Sequence, residues 1–484
     1  MIDVKTPDSP GWWLQKCHRK LQDRLPRLNK LHSYRAGDPP LAKRSEVEKQ
    51  AFREFQKTGR LNMADALVSS VTERMAVRAI RTAQGATQAG DSVAWDVFTA
   101  NQLAVELPDV LDNMLGLGDG YMFIGVDPAA GDRPTAEQVW ITAEDPRQAV
   151  TIHDPVRQSQ VRAGAKFFHD PDEQMDYAYL HRPGVVYVAK RARKSGAKSA
   201  SFSPSSWDWD ESRGGEEGMR LPEALRDVVG VVRFRNRKGV AEFEPHLDVL
   251  DRLNHGILQR MVIVTMQAFR QRALKGDMPT HYPADWADES LRGQKIDYDE
   301  IFVSSPDALW LLPGGADIWE SAQAEIQGVL SAVQDDLKHL AAASRRPFWI
   351  FAPDNQSANG ADRANEGLVF ATEDRETRAG QALAQVISIA LRFMGETERA
   401  AVGKITVDWM PPERYGLSTK ATAAQAAKAA GMSSRFILEN VWQATPEEIA
   451  IEEQNAAADQ LSVALLGIGG EQQGSGSGTV AGAA

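Results

Sequence analysis

Cysteine is nearly absent: Cys17 is the one thiol in 484 residues, which excludes an internal disulfide framework and fits assembly in a reducing compartment. Long apolar runs are missing too. Met261–Thr265 and Val386–Leu391, the most apolar stretches, are far too short to cross a bilayer. The opening Met1-Ile2-Asp3-Val4-Lys5 has no basic region leading into an apolar run, so no secretory leader is expected. Positive charge is in deficit. With 55 Lys and Arg against 66 Asp and Glu the net charge is −11, which cuts against a protein that coats nucleic acid by neutralising phosphates. Charge alone does not separate a protein past which DNA slides without sticking from one that never meets nucleic acid. The nine histidines include no pair at four-residue spacing, and no cysteine cluster exists to hold zinc. A phosphate-cradling loop is lacking as well, since Gly403-Lys404 runs into Ile405 with no upstream glycine.

What is there reads as an ordinary folded chain. It is 43% apolar and 25% charged, which excludes disorder, collagen and a plain coiled coil, and its length suits two to four structural units. Apolar spacing predicts a helix over Gly11–Leu31, with Trp12, Trp13, Leu21, Leu25 and Leu28 as anchors. Cys17 sits on that face beside Trp13 and Leu14, where it serves better as buried filler than as a nucleophile. After the break at Gly37–Pro40, Ser45 and Glu48 form a candidate capping box, and helices are predicted over Met63–Ile80 and Trp95–Leu115.

Then the period shortens. Strands are predicted at Tyr121–Val126, Val139–Thr142, Ala149–His153, Ala163–His169, Met175–Leu180, Val185–Ala189 and Val228–Phe234, with a polar loop over Ser195–Arg220. Two long helices follow, Glu244–Lys275 and Asp317–Ala343, around an insert with short apolar strands at Ile301–Val303 and Leu309–Leu312. A loop over Arg345–Gly360 leads to a third long helix ending at Met394. A strand over Ile405–Trp409 and three short helices between Thr419 and Leu461 complete the ordered part, with Thr445 as N-cap of the last. The Gly/Ser/Ala-rich stretch Gly467–Ala484 is expected to be disordered.

Sites for catalysis are not evident. Gly116–Gly120 follows a helix and precedes a strand, the reverse of a dinucleotide loop, so it reads as a helix end and turn. Asp208, Asp210 and Glu211, interleaved with Trp207 and Trp209, imitate a metal cluster but read better as a solvated loop with exposed aromatics. Asp335 and Asp336 point apart on a helix, and Asp374 with Arg378 is spaced as a helical ion pair. No catalytic, cofactor or metal residue is assigned.

Three blocks carry a resemblance. Val231–Asn236, Gly239–Glu242 and Leu250–Asn254 are similar to the strand, turn and helix signature of phage portal proteins of the Gp6-like family, with Ala241 where Ser is usual. Trp95, Asn101 to Leu103, Leu115 and Gly120–Val126 resemble a second block of that family. Val150–Pro155 with Ala163–Lys166 resembles a third.

The resemblance implies an α+β, helix-rich portal fold of wing, stem, clip and crown, repeated as a twelve-membered ring at one capsid vertex. Mapped onto this chain, 1–243 is the N-terminal part of the wing, 244–275 and 317–344 are the stem helices and 276–316 is the clip. The tunnel loop is 345–366, 367–417 returns to the wing, 418–466 is the crown and 467–484 a tail. It also implies a channel for DNA packaging and ejection, with the alternatives of another head or tail connector or an enzyme of unrecognised fold. Implied partners are the chain itself as a homododecamer, double-stranded DNA irrespective of sequence, the terminase large subunit, the head-tail adaptor, and major capsid and scaffolding proteins. No membrane is involved, and assembly is placed in the host bacterial cytoplasm before residence in the virion.

Candidate channel residues are Arg345, Arg346, Phe348, Trp349, Asp354 and Arg363; the loop is formally neutral once Asp362 and Glu366 are counted. Its apolar tip, Phe348–Phe351, either packs against the wing or a neighbour or narrows the channel. Trp286, Tyr298, Phe302 and Trp310 mark the clip as a contact surface for terminase or adaptor, a small local core being compatible with that.

Overall fold

The computed structural model describes residues 2–40, 55–84, 90–127, 129–131, 133–192, 206–268, 272–276, 279–298, 317–320, 326–352, 358–413 and 415–471. Two compact units divide the chain. The larger takes Met1–Lys43, Leu61–Leu250 and Lys338–Ala484, and the smaller takes Arg44–Arg60 and Asp251–Leu337.

In chain order the elements begin with α1 (Pro10–Arg35), α2 (Met63–Thr72), β1 (Val77–Arg81), α3 (Ser92–Ala100) and α4 (Leu103–Leu117). The strands β2 (Asp119–Val126), β3 (Val139–Glu144), β4 (Ala149–His153), β5 (Val161–Asp170), β6 (Met175–Arg182) and β7 (Val185–Ala192) follow. Short β8 (Asp208–Trp209) and β9 (Met219–Arg220) precede β10 (Val231–Arg235). Next come α5 (Leu247–Ala268), β11 (Arg272–Lys275), β12 (Asp317–Glu320), α6 (Gln327–Ser344) and α7 (Ala358–Phe393). The chain ends with β13 (Thr406–Trp409), α8 (Leu417–Ala429), α9 (Ser434–Ile437) and α10 (Pro446–Glu471).

In the larger unit, α1 starts where Ser9 Oγ accepts the Trp12 N–H at 3.2 Å and Pro10 occupies the first turn. Its face of Trp13, Leu14, Cys17 and Leu21 packs on the antiparallel sheet β4-β5-β6-β7, meeting Val150, Ala163, Phe167 and Leu180. Cys17 is fully buried there, as its spacing predicts, and burial pushes its thiol up to about 12. A second sheet, β10-β2-β3, lies against α4 and α7. α4 ends at Gly118, φ 93°, where a Cβ would lie 2.4 Å from the Gly239 carbonyl oxygen; the turn requires glycine. The Gly116–Gly120 run is thus a helix end, as expected.

Tertiary pairing overrides the sequence period in several places. The helix expected over Met63–Ile80 stops at Thr72, and Ile80 lies instead in β1, paired antiparallel with β13. The one expected over Trp95–Leu115 breaks at Gln102, φ 49°; there the Asn101 amide donates to Val97 O at 3.0 Å and accepts the Ile141 N–H at 2.8 Å. The long helix expected over Glu244–Lys275 is only the 22 residues of α5, about 33 Å at the usual rise. Arg272–Lys275 is a strand, and so is Asp317–Glu320, expected to be the start of the next helix. The two pair antiparallel from Arg272↔Glu320 to Lys275↔Asp317, so a non-local partner satisfies their backbone groups.

Asp208 and Glu211 are exposed as a solvated loop requires, but the aromatics are not, Trp209 being half-buried. Trp207 is fully buried in the α1 core, and Asp210 is buried too, accepting from Lys190 Nζ at 2.8 Å and Ser212 Oγ at 2.7 Å. α10 opens with a reciprocal capping box between Thr445 and Glu448, and it runs to Glu471, into the stretch expected to be disordered. The Ser45–Glu48 box, the strands Ile301–Val303 and Leu309–Leu312, and residues 472–484 lie outside the described residues.

Within the smaller unit, Arg252 grips Asp336 at 2.7 Å, and a Cβ on Gly256 would lie 2.9 Å from Val333 Cγ2, so the two helices approach closely there. The apolar stripe of Ile257, Met261 and Val333 is only half-buried. The Thr280–Ile296 segment folds back on itself, with Tyr282 N–H donating to Gln294 O and Ile296 N–H to Thr280 O.

Candidate functional site

The turn after β10 organises the site. Asn236 donates its backbone N–H to Gly118 O at 3.0 Å, and its amide nitrogen donates to Val240 O at 2.8 Å and to Glu242 Oε1 at 2.9 Å. Glu242 N–H is held by Leu115 O at 2.8 Å, and Arg27 Nη2 reaches Gly239 O at 2.9 Å. Side-chain and backbone bonds together fix where the Glu242 carboxylate points.

It points at two guanidinium groups. Arg346 Nη2 donates to Glu242 Oε2 at 2.9 Å, and Arg375 donates through Nε at 3.0 Å and Nη2 at 3.2 Å. Side-chain exposures of 6% for Glu242, 2% for Arg346 and 13% for Arg375 leave little room for water to screen the cluster. Burial pulls the Arg346 guanidinium down from its ordinary value while the Glu242 charge opposes it. Burial and then the Arg346 charge hold the His246 imidazole below its own. Asp374 shares Arg375 and Arg378, each at 3.0 Å; the Asp374–Arg378 ion pair is the one its spacing predicts. Around this cluster opens a cavity of about 650 Å³, rimmed by Arg237, Lys238, Arg345 and Phe370.

The segment after α6 is tied down at intervals. Arg345 adopts φ 56°, and its carbonyl oxygen would be 3.0 Å from a Cβ on Gly367 of α7. Arg345 is exposed, whereas Arg346 is buried against Glu242, so the two adjacent arginines do different things. Phe348 is half-buried, Phe351 is buried, and Trp349 is 40% exposed with its Nε1–H donated to Asn365 Oδ1 at 3.2 Å. The loop expected over Arg345–Glu366 is shorter than that span, because α7 begins at Ala358 and takes in Arg363. Asp354 lies outside the described residues.

Among the clip candidates, Trp286 is exposed and its ring centroid is 5.2 Å from that of Tyr282, while Tyr298 is half-buried and donates its hydroxyl to Pro279 O at 2.5 Å. Phe302 and Trp310 lie outside the described residues. Among the described residues no group of three His, Cys, Asp or Glu is arranged to hold a metal ion, and no helix is long and apolar enough to cross a membrane. Sequence reasoning did not single out Glu242 or Arg375 as a pair. Glu242 was visible only as the end of a motif, and its arginines arrive from 104 and 133 positions away.

A sequence model described as phage portal protein, SPP1 Gp6-like, matches residues 14–461. No curated protein matches. Similar solved structures include a chain from the neck of an empty GTA particle, with TM-score 0.43 and 12% identity over 77% of this chain and 85% of that one. A chain from the virion of a native gene transfer agent particle gives 0.41 and 12% over 86% and 98%, and one from the neck of a native GTA particle gives 0.42 and 14% over 85% and 98%.

Proposed function

The chain belongs to the SPP1 Gp6-like family of phage portal proteins, and from that premise we propose that twelve copies form a ring at one capsid vertex through which double-stranded DNA is packaged and ejected. The observation that carries this reading is a family match running through nearly the whole chain, both compact units included. Portal proteins are structural, and the particle rather than a small-molecule substrate is the context in which the site acts. The half-buried stripe of Ile257, Met261 and Val333 suits a helix pair that gains further cover from neighbours in a ring.

The segment after α6 is the tunnel loop in this reading. Arg345, Phe348, Trp349, Asp354 and Arg363 are its channel residues. Arg346 plays a different part, because its charge is committed to Glu242 and it anchors the loop instead of facing DNA. An exposed Arg345 repeated twelve times would set a ring of positive potential that passing DNA must cross. The acidic balance of the whole chain limits phosphate contacts, which suits passage of any sequence without retention. Trp286 and Tyr298, with Phe302 and Trp310, form the clip surface that meets the terminase large subunit during packaging and the head-tail adaptor afterwards. Scaffolding and major capsid proteins surround the ring, which is built in the bacterial cytoplasm and carried in the virion.

Negative-stain microscopy with native mass measurement tests the ring, the expected result being an annulus with a central hole and about twelve copies. The double variant Phe348→Ala/Trp349→Ala tests the loop. It is expected to form normal rings that retain DNA poorly, and failure to form rings would remove these residues from the channel.

A further inference from the structure

On a different face of α7 from the Glu242 cluster, a second cavity of about 670 Å³ opens between the helix and β13. Glu373, Glu376, Gln381, Val402 and Trp409 are among its walls, and among the described residues no Lys or Arg lines it. Glu376 is 93% buried, at 7% exposure, and its Oε1 meets no hydrogen-bond donor among the described residues. Burial, and then the nearby Glu373 charge, push this carboxyl up to about 8. A carboxyl buried with an unsatisfied oxygen is costly unless a donor arrives.

Another face of the same helix is its electrostatic complement. Asp374 and Glu376 lie about 200° apart around the axis. The Glu242 cavity sets six cations, including Arg237, Lys238 and Arg345, against the carboxylates of Glu242 and Asp374. At its rim the turn Arg237–Gly239 presents two exposed cations, with Lys238 at φ 58°. An acidic pocket and a basic turn on two different faces of one element are what a head-to-tail interface between identical copies needs, because such an interface joins two different patches.

We propose that the cavity lined by the carboxyl groups of Glu373 and Glu376 in one copy receives the Arg237–Lys238 turn of a second copy. The proposal rests on the ring reading above and names the contact by which neighbours would meet.

The test uses the full chain. Gln381, exposed at the cavity, and Lys238 are both changed to cysteine, while the buried Cys17 stays silent. Mild oxidation is expected to give a ladder of disulfide-linked oligomers ending in closed rings. Glu376→Gln and Lys238→Ala are each expected to raise the concentration at which rings dissociate about tenfold, and the two together no more than either alone. Wild-type protein that stays monomeric overturns the ring reading and this contact with it. Wild-type rings with no cross-linked ladder, and with both single variants unaffected, overturn this contact alone. Should Glu376→Gln misfold, Lys238→Glu decides the matter: a surface substitution that leaves rings at wild-type strength refutes the proposal.

Discussion

Replacing Glu242 by glutamine keeps the size of the side chain and removes the charge that faces Arg346 and Arg375. The two arginines are 2% and 13% exposed, so water supplies little in place of the carboxylate. Breaking a buried ion pair by removing one partner costs about 3–5 kcal/mol. The larger unit holds about 380 residues, and at about 2.1 cal/mol/K of unfolding entropy per residue this loss lowers Tm by about 4–6 °C. Calorimetry reads the shift. Trypsin reads its location, because a loosened anchor exposes the bond after Arg345, whereas the bond after Arg346 is protected by Pro347. The companion variant Arg346→Met removes the buried cation instead, and the double variant Glu242→Gln/Arg346→Met is expected to recover at least about 1.5 kcal/mol of the summed losses. Losses that add to within about 0.5 kcal/mol would show that the pair is not coupled, and the account of the loop anchor would fail.

Two further outcomes follow from buried groups. His181 is 2% exposed, with neither ring nitrogen bonded to a described partner, and burial lowers its pKa to about 4. Its unfolded value is near 6.5, so the unfolded chain binds the proton first; stability present above pH 6.5 is lost as pH falls towards 4, by about 3 kcal/mol. In urea titrations at pH 7 and pH 4.5, His181→Leu should shrink the difference, and an unchanged difference assigns the slope to other groups. Gly118→Ala forces a Cβ to within 2.4 Å of the Gly239 carbonyl oxygen at φ 93°, and a loss of about 2 kcal/mol is expected in the same titration. A neutral result would mean that the α4 end relaxes freely.

Much of the fold was legible because its signals are local. Ser9 and Pro10 mark the start of α1, and Thr445 with Glu448 marks α10, each within one turn. The strands from β2 to β7 announce themselves by short runs rich in β-branched and aromatic residues and by turns such as Arg182-Pro183-Gly184. What stayed hidden depends on partners far along the chain. Asp317–Glu320 has a helical spacing of apolar residues, and only the facing Arg272–Lys275 makes it a strand. Asp210 looks solvated until Lys190 of β7 is seen beside it. The site follows the same rule: the motif ending in Glu242 was visible, but the arginines that its carboxylate holds were not.

Arg375 and Glu376 are consecutive residues of one 36-residue helix, separated by about 1.5 Å along its axis and about 100° around it. A hydrogen-bonded helix turns as a solid rod, so α7 acts as a crankshaft with two throws. Any roll that lifts Arg375 from Glu242, and so leaves Arg346 as the carboxylate's one remaining guanidinium partner, swings Glu376 through the same angle. If Glu376 seats a neighbouring copy as proposed, the position of one loop is written into the seat of the next, and the loops of an assembled ring would move in sequence rather than independently.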